Sequence, residues 1–113
     1  NVAGGTSLVK TDAGTLVVSK DQTYRGATDI EGGTLQLGNG GTAGNIATTT
    51  AIHDDGTLAV DRSDAITIGQ VIDGTGNLTQ IGTGTTTLTG TDTYTGATTI
   101  DNGTLALSGT GSI

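Results

Sequence analysis

The chain contains no cysteine, proline, methionine, tryptophan or phenylalanine, and its only aromatic side chains are Tyr24 and Tyr94. Without cysteine, neither disulfides nor thiolate chemistry are available to it. Glycine and threonine supply 21 and 26 of the 113 residues, a composition that favours strands and tight turns over long helices. With so few large side chains, stability must come from backbone pairing and stacked aliphatic residues.

Basic residues are also scarce, with four against eleven acidic residues, for a net charge of −7. A surface of this sign repels phosphate backbones and anionic lipids, so we expect no nucleic-acid partner and no membrane-surface role. No apolar run approaches membrane-spanning length, and no signal-peptide pattern opens the chain.

One phrase occurs twice, as TYRGATDI at 23–30 and as TYTGATTI at 93–100. It belongs to a longer unit, because shifting the chain by 70 positions superimposes its two ends without a gap. We predict one β-helix fragment over residues 1–113. It contains repeat copies at 8–43 and 78–113, with degenerate rungs at 44–77.

A shorter period runs beneath the long repeat. A glycine followed by Thr or Asn and then Leu begins at Gly14, Gly33, Gly56, Gly76 and Gly103. The first three steps are 19, 23 and 20 residues, and the last contains an additional strand beginning near position 84. Apolar residues alternate within each short segment, which is typical of strands with one inward face. The pattern predicts an all-β parallel solenoid of about five to six rungs.

Residues 14–41 and 84–111 closely resemble the autotransporter-associated β-strand repeat, also called the passenger-associated transport repeat. The resemblance rests on T-Y-x-G-x-T-x-I followed at fixed spacing by G-x-L-x-L. Gln22 and Asp92 stand where the family often has Asn, and Lys20 stands where the second copy has the family's glycine, Gly90. The matching motif residues are Tyr24, Gly26, Thr28, Ile30, Gly33, Leu35, Leu37, Tyr94, Gly96, Thr98, Ile100, Gly103, Leu105 and Leu107.

This resemblance implies a right-handed parallel β-helix in the secreted passenger of a Gram-negative type V autotransporter, located outside the cell or at its surface. It implies a structural, non-enzymatic section that assists outer-membrane translocation and extracellular folding and forms an adhesin-type stalk. The alternative is an adhesive module that binds host-surface or matrix ligands directly. Expected partners are the neighbouring rungs of the parent passenger, a host-cell or matrix surface, and other copies of the fragment joined end to end.

Two groups of polar residues are candidates for chemistry. His53, Asp54 and Asp55 are metal-ligand types but would need a further ligand from a neighbouring rung, so we favour a turn at Asp55-Gly56 with His53 facing outward. The carboxylate pairs Asp61/Asp64 and Asp29/Glu31 have the residue types of glycosidases. Arg25 and Arg62 are the only arginines available to hold a sugar, so we predict no catalysis at these pairs. For the chain as a whole we also predict no metal and no cofactor.

Two low-complexity features have ordinary explanations. The stretch GNGGTAGN at 38–45 is similar to glycine-rich calcium repeats but lacks their aspartate, which favours a flexible turn. The threonine runs at 48–50 and 85–87 suggest an ice-binding ladder, which the uneven period argues against.

Within the repeated phrase, we predict that Ile30 and Ile100 point inward and that a side chain in place of Gly26 or Gly96 would obstruct the bend. Both tyrosines would then lie across a corner and cover the aliphatic residues of the adjacent rung. The functional alternative is a pair of sugar-binding tyrosines.

Overall fold

The computed structural model describes residues 7–46, 49–109 and 111, which contain twelve short strands and no helix. Accordingly, no helix in these ranges could cross a membrane. The strands are β1 (Leu8–Lys10), β2 (Thr15–Val18), β3 (Thr28–Ile30), β4 (Thr34–Gly41), β5 (Ile52–Asp54), β6 (Thr57–Arg62), β7 (Ala65–Ile68), β8 (Ile72–Asp73), β9 (Asn77–Gln80), β10 (Thr85–Leu88), β11 (Thr98–Ile100) and β12 (Thr104–Leu107).

The strands form three parallel sheets, called here face A (β1, β3, β5, β8), face B (β2, β4, β6, β9, β11) and face C (β7, β10, β12). Each strand pairs with the strand that lies one turn further along the chain, as Leu8 does with Thr28 and Thr57 with Asn77. The chain therefore passes from face A to B to C and returns to A, completing five turns. This confirms the predicted β-solenoid, while its right hand stays a prediction.

The core is a set of side-chain columns that run along the solenoid axis. On face B, Leu35, Leu58 and Leu78 occupy one register position in successive turns, and each is at most 1% exposed. Leu37 and Val60 form a second column two residues further along. Burying each such side chain contributes about 1.5–3 kcal/mol, so the axial columns stabilise the stacking of the turns.

The first and last turns leave their inward side chains partly open. Leu16 in β2 is 40% exposed, and Ile100 and Leu107 in the fifth turn are 52% and 49% exposed. The molecule measures 30 × 28 × 28 Å, so five turns make a section about as tall as it is wide. Among the described residues, both ends show open apolar columns and strand edges without a neighbouring strand, which is the geometry on which the expected end-to-end association depends.

Face C is shorter than the other two faces. It begins only at the third turn with β7, because residues 19–27 of the first turn carry no strand, nor do residues 42–46 and 49–51 of the second. Hydrogen bonds hold these irregular segments to each other, as in the bond from Gln22 N to Asn45 O at 2.9 Å. The glycine-rich stretch differs from the prediction, since residues 38–41 extend β4 with a register shift against β6 instead of forming a turn.

Candidate functional site

The first copy of the repeated phrase is a buried hydrogen-bonded corner. Tyr24 is fully buried, and its hydroxyl is 2.5 Å from the Thr28 hydroxyl. Thr28 is 2.8 Å from the hydroxyl of Thr49, which lies one turn after Tyr24, and Thr49 donates to Gly26 O at 2.7 Å. Burial raises the pKa of Tyr24, and the Thr28 and Thr49 hydroxyls partly offset that rise. The ring therefore fills the corner and satisfies its polar end internally, as an interior tyrosine must.

The second copy forms the same kind of corner, but its tyrosine is slightly less buried. Tyr94 is 8% exposed, and its hydroxyl is 2.5 Å from the Thr98 hydroxyl. The Tyr94 backbone N donates to Ile72 O in the preceding turn at 3.2 Å. Both rings lie inside the solenoid, as predicted, and neither offers a flat surface to a sugar.

Three positions of the motif require glycine, because the backbone of the preceding turn lies too close for a side chain. Gly33 and Gly103 adopt positive φ values of 68° and 67°, and a Cβ at either position would lie within 2.4 Å of a carbonyl oxygen of the preceding turn. A Cβ at Gly96 would lie 2.0 Å from Gly76 O, so the expected obstruction of the bend is confirmed at that position. These glycines allow successive turns to stack at hydrogen-bonding distance.

The two copies occupy different corners of the solenoid. Tyr24 precedes β3 on face A, whereas Tyr94 precedes β11 on face B. All four strands of the first copy are displaced in this way: β1 and β3 on face A correspond to β9 and β11 on face B, and β2 and β4 on face B correspond to β10 and β12 on face C. A shift of 70 residues is therefore three turns and one face. The sequence repeat alone did not reveal this offset.

Face A carries an outward ladder of charged groups. Asp29, His53 and Asp73 occupy one register position in β3, β5 and β8. His53 Nδ1 is 2.7 Å from Asp73 Oδ1, and His53 Nε2 is 2.8 Å from Asp55 Oδ2. The two carboxylates raise the pKa of His53, Asp73 having the larger effect. His53 faces outward, as predicted, and bridges two turns.

The described side chains of this ladder are not arranged around a common metal position. The carboxylates of Asp73 and Asp55 lie at opposite nitrogens of the His53 ring, and no group of three or more His, Asp or Glu side chains within the described ranges has metal-binding geometry. Asp55 also accepts hydrogen bonds from Thr75 N and Oγ1 at 2.9 and 3.1 Å, which are the first causes of its lowered pKa. The cluster therefore links the third turn to the fourth.

Only one of the two candidate carboxylate pairs is brought together. The pKa of Glu31, an exposed residue, is raised, first by the neighbouring carboxyl of the partly buried Asp29. Asp64 instead binds Arg62 through two bonds of 2.9 Å, which lower its pKa, and Asp61 accepts from Gln36 Nε2 at 3.3 Å.

Arg62 is a buried residue whose role the sequence did not indicate. Besides Asp64, its guanidinium donates to Gly44 O at 2.8 Å and to Thr42 O at 2.9 Å, and Gly44 N donates to Asp21 Oδ1 at 3.0 Å. The carbonyl groups that a calcium ion could use in the glycine-rich stretch are thus taken by an internal cation. Arg62 and Asp21 bond to this stretch, and its first part, residues 38–41, is strand and not the expected turn, while its flexibility stays a prediction.

The threonine runs do not form an outward ladder. Thr86 is 1% exposed and donates to Gln80 Oε1 at 2.6 Å inside the fourth turn. Thr49 is buried in the corner of Tyr24, while Thr48 lies outside the described residues.

The arrangement of these parts defines a class: a parallel β-solenoid section whose repeated motif is an internal stacking unit. Against known families, the model for the passenger-associated-transport-repeat matches residues 8–37 and 78–107, together more than half of the chain. The chain belongs to this family, and it is an autotransporter passenger repeat.

Among curated proteins, the chain is similar to the adhesin BmaC autotransporter of Brucella suis biovar 1 (strain 1330). The two are 46% identical over 73 residues, which is 65% of this chain. The chain spans about 2% of the length of that relative. No solved structure matches the chain.

Proposed function

We propose that this chain is a structural section of an autotransporter passenger. It forms part of a stalk outside the cell, and its folding outside the cell assists the passage of the passenger through the outer membrane. The observation that carries the proposal is the direction of the motif residues. Tyr24, Thr28 and Ile30 point into the solenoid and are each 0% exposed. The repeated residues thus join turns to one another instead of presenting a surface to a ligand.

Folding by single turns supports the role in translocation. Every strand pairs with strands 19 to 24 residues away along the chain, as Thr15 does with Thr34 and Thr28 with Ile52. In such a solenoid each turn gains its contacts from its neighbours alone. A chain that emerges progressively can therefore stack one turn on the last, and each completed turn opposes backward movement.

The contacts of the candidate acid groups agree with a structural role. Asp64 neutralises Arg62, which closes the irregular segment of the second turn, and Asp55 ties the third turn to the fourth through Thr75. We infer that the segment is not an enzyme and that its charged side chains maintain the stacking.

A pair of deletions tests this proposal. Removing residues 57–76 excises one turn and brings Asn77 to the position of Thr57, with which it is already in register. Removing only residues 57–66 shifts every later strand by about half a turn. Each of the two deletion variants, and the unaltered chain, would replace a segment of an autotransporter passenger. Surface display of that passenger would be measured by protease accessibility on intact cells.

We expect the one-turn deletion to be displayed like the unaltered segment and the half-turn deletion to be displayed several-fold less. Equal display of both deletions would show that turn stacking does not assist export.

The second candidate function is direct adhesion. The relative named an adhesin supports it, as does the outward charged ladder of face A. Saturable binding of the isolated chain to a host-surface glycan or matrix protein would establish adhesion. Loss of that binding in His53→Gln, with unchanged stability at pH 8, would place it on face A.

A further inference from the structure

A carboxyl group is enclosed at the corner between faces A and B in the third turn. Asp54, the last residue of β5, is 0% exposed. Its Oδ1 accepts from Gly56 N at 3.1 Å, whereas its Oδ2 is buried and has no hydrogen-bond partner among the described residues. An ionised carboxylate enclosed in this way is costly, because burial disfavours its charged form. Burial accordingly raises the pKa of Asp54 to about 6, against an ordinary value of 3.8.

A second enclosed carboxyl lies two turns further along. Asp92 is 5% exposed, its Oδ1 accepts from Ile72 N at 2.9 Å, and its Oδ2 has no partner within the described part of the chain. Burial raises its pKa as well. The Tyr94 hydroxyl lies in the field of both carboxyls, since after burial Asp92 and then Asp54 contribute to its raised pKa.

The exposed side of the same strand carries His53. Its ring is held between Asp73 of the fourth turn and Asp55 of its own turn, and both carboxylates favour the protonated imidazole. Asp29 is its register neighbour in the second turn, and Glu31, also within range of His53, has a raised pKa. Proton binding on either side of β5 is therefore favoured by the folded arrangement.

We propose that the side of the solenoid formed by face A, from the third to the fifth turn, is a proton-dependent stability element, so that the solenoid is more stable in mildly acidic surroundings than at neutral or alkaline pH. Folding encloses the carboxyl groups of Asp54 and Asp92 on this side, where burial favours their neutral form. Folding also places the His53 imidazole between the carboxylates of Asp55 and Asp73, which favour its protonated form.

The direction of the effect follows from proton linkage. Because the pKa of Asp54 is higher in the folded chain, its contribution is complete below about 3.8 and is lost as the pH rises through about 6. The raised pKa of His53 acts in the same direction, with its contribution lost as the pH rises through its folded value. Asp55 and Asp64 have lowered pKa values, so their contributions to stability are lost only as the pH falls below the ordinary aspartate pKa of 3.8.

The test is urea unfolding of the unaltered chain and of Asp54→Asn at pH 5 and pH 8. With a folded pKa of about 6, we expect Asp54 alone to make the unfolding equilibrium constant about tenfold larger at pH 8 than at pH 5. Asn is permanently neutral, and we expect this variant to lose about that tenfold dependence. The matched control is Asp101→Asn, which removes the same charge from an exposed position and should keep the dependence of the unaltered chain.

Equal or greater stability of the unaltered chain at pH 8 would overturn the proposal. So would an Asp54→Asn variant that keeps the full pH dependence, because the enclosed carboxyl of Asp54 would then contribute none of it. If that variant fails to fold, the carboxyl carbon of Asp54 is titrated by NMR in the unaltered chain. A midpoint near 6 supports the proposal, and a midpoint near 4 contradicts it.

Discussion

The two copies of the repeat have nearly the same sequence but differ in burial. Ile30 and Leu37 in the first copy are 0% and 1% exposed, whereas their counterparts Ile100 and Leu107 are 52% and 49% exposed. The first copy is followed by three further turns, and the closing half of the second copy lies in the last turn. In the closing half of the motif, an inward-facing residue is therefore buried by the turn that follows it and not by its own motif.

The opening halves of the two copies show the reverse. Leu16 in the first turn is 40% exposed, while Thr86, its counterpart in the fourth turn, is 1% exposed. Each copy thus buries part of its surface against the turn before it and part against the turn after it. This is the nearest-neighbour energetics of solenoid proteins, and it makes paired substitutions in the two copies informative.

The largest effect is expected at the tyrosines. Tyr24→Ala should lower the free energy of unfolding by about 3–5 kcal/mol and Tyr94→Ala by about 2–4 kcal/mol. The first value is larger because Tyr24 is fully buried and its network reaches Thr49 in the next turn. Urea unfolding of both variants measures the difference. Variants that both unfold like the unaltered chain would show that the phrase is a ligand site.

The isoleucine pair should separate the copies most clearly. Ile30→Ala removes a fully buried side chain and should cost about 2–4 kcal/mol, whereas Ile100→Ala should cost less than about 1 kcal/mol because half of its side chain is already exposed. Thermal or urea unfolding serves as the measurement. Similar losses at the two positions would mean that the last turn is covered in solution, for instance by a second copy joined end to end.

The glycine pair should behave alike in both copies. A Cβ at Gly33 or Gly103 meets carbonyl oxygens of the preceding turn, which exists for each copy, and both residues have positive φ. Alanine at either position should cost about 1–3 kcal/mol. Circular dichroism during urea unfolding would compare them. A neutral Gly103→Ala beside a destabilising Gly33→Ala would show that the strain depends on the following turn.

Much of the fold could be predicted from spacing. Steps of about 20 residues between glycine-led segments reflect the length of one turn, and these segments place Leu35, Leu58 and Leu78 in one axial column. The outward direction of His53 and the turn at Asp55-Gly56 also followed from alternation and turn preference.

The position of each motif around the solenoid could not be predicted. A period reports the length of a turn but not which third of it a segment occupies, so the displacement of the second copy by one face needed coordinates. Side-chain contacts between turns could not be predicted either, because their partners are distant in sequence, as with Asp73 and His53, which are 20 residues apart. The burial of Asp54 and Arg62 ran against the usual exposure of charged residues.

The displacement by one face has a mechanical consequence. If the spacing of 70 residues continued, the motif would advance around the axis like the thread of a screw and return to its starting corner after about 210 residues, or about 48 Å of length. The tyrosine-filled corners would then reinforce every side of the rod in turn. A shaft braced in this way has no preferred direction of bending.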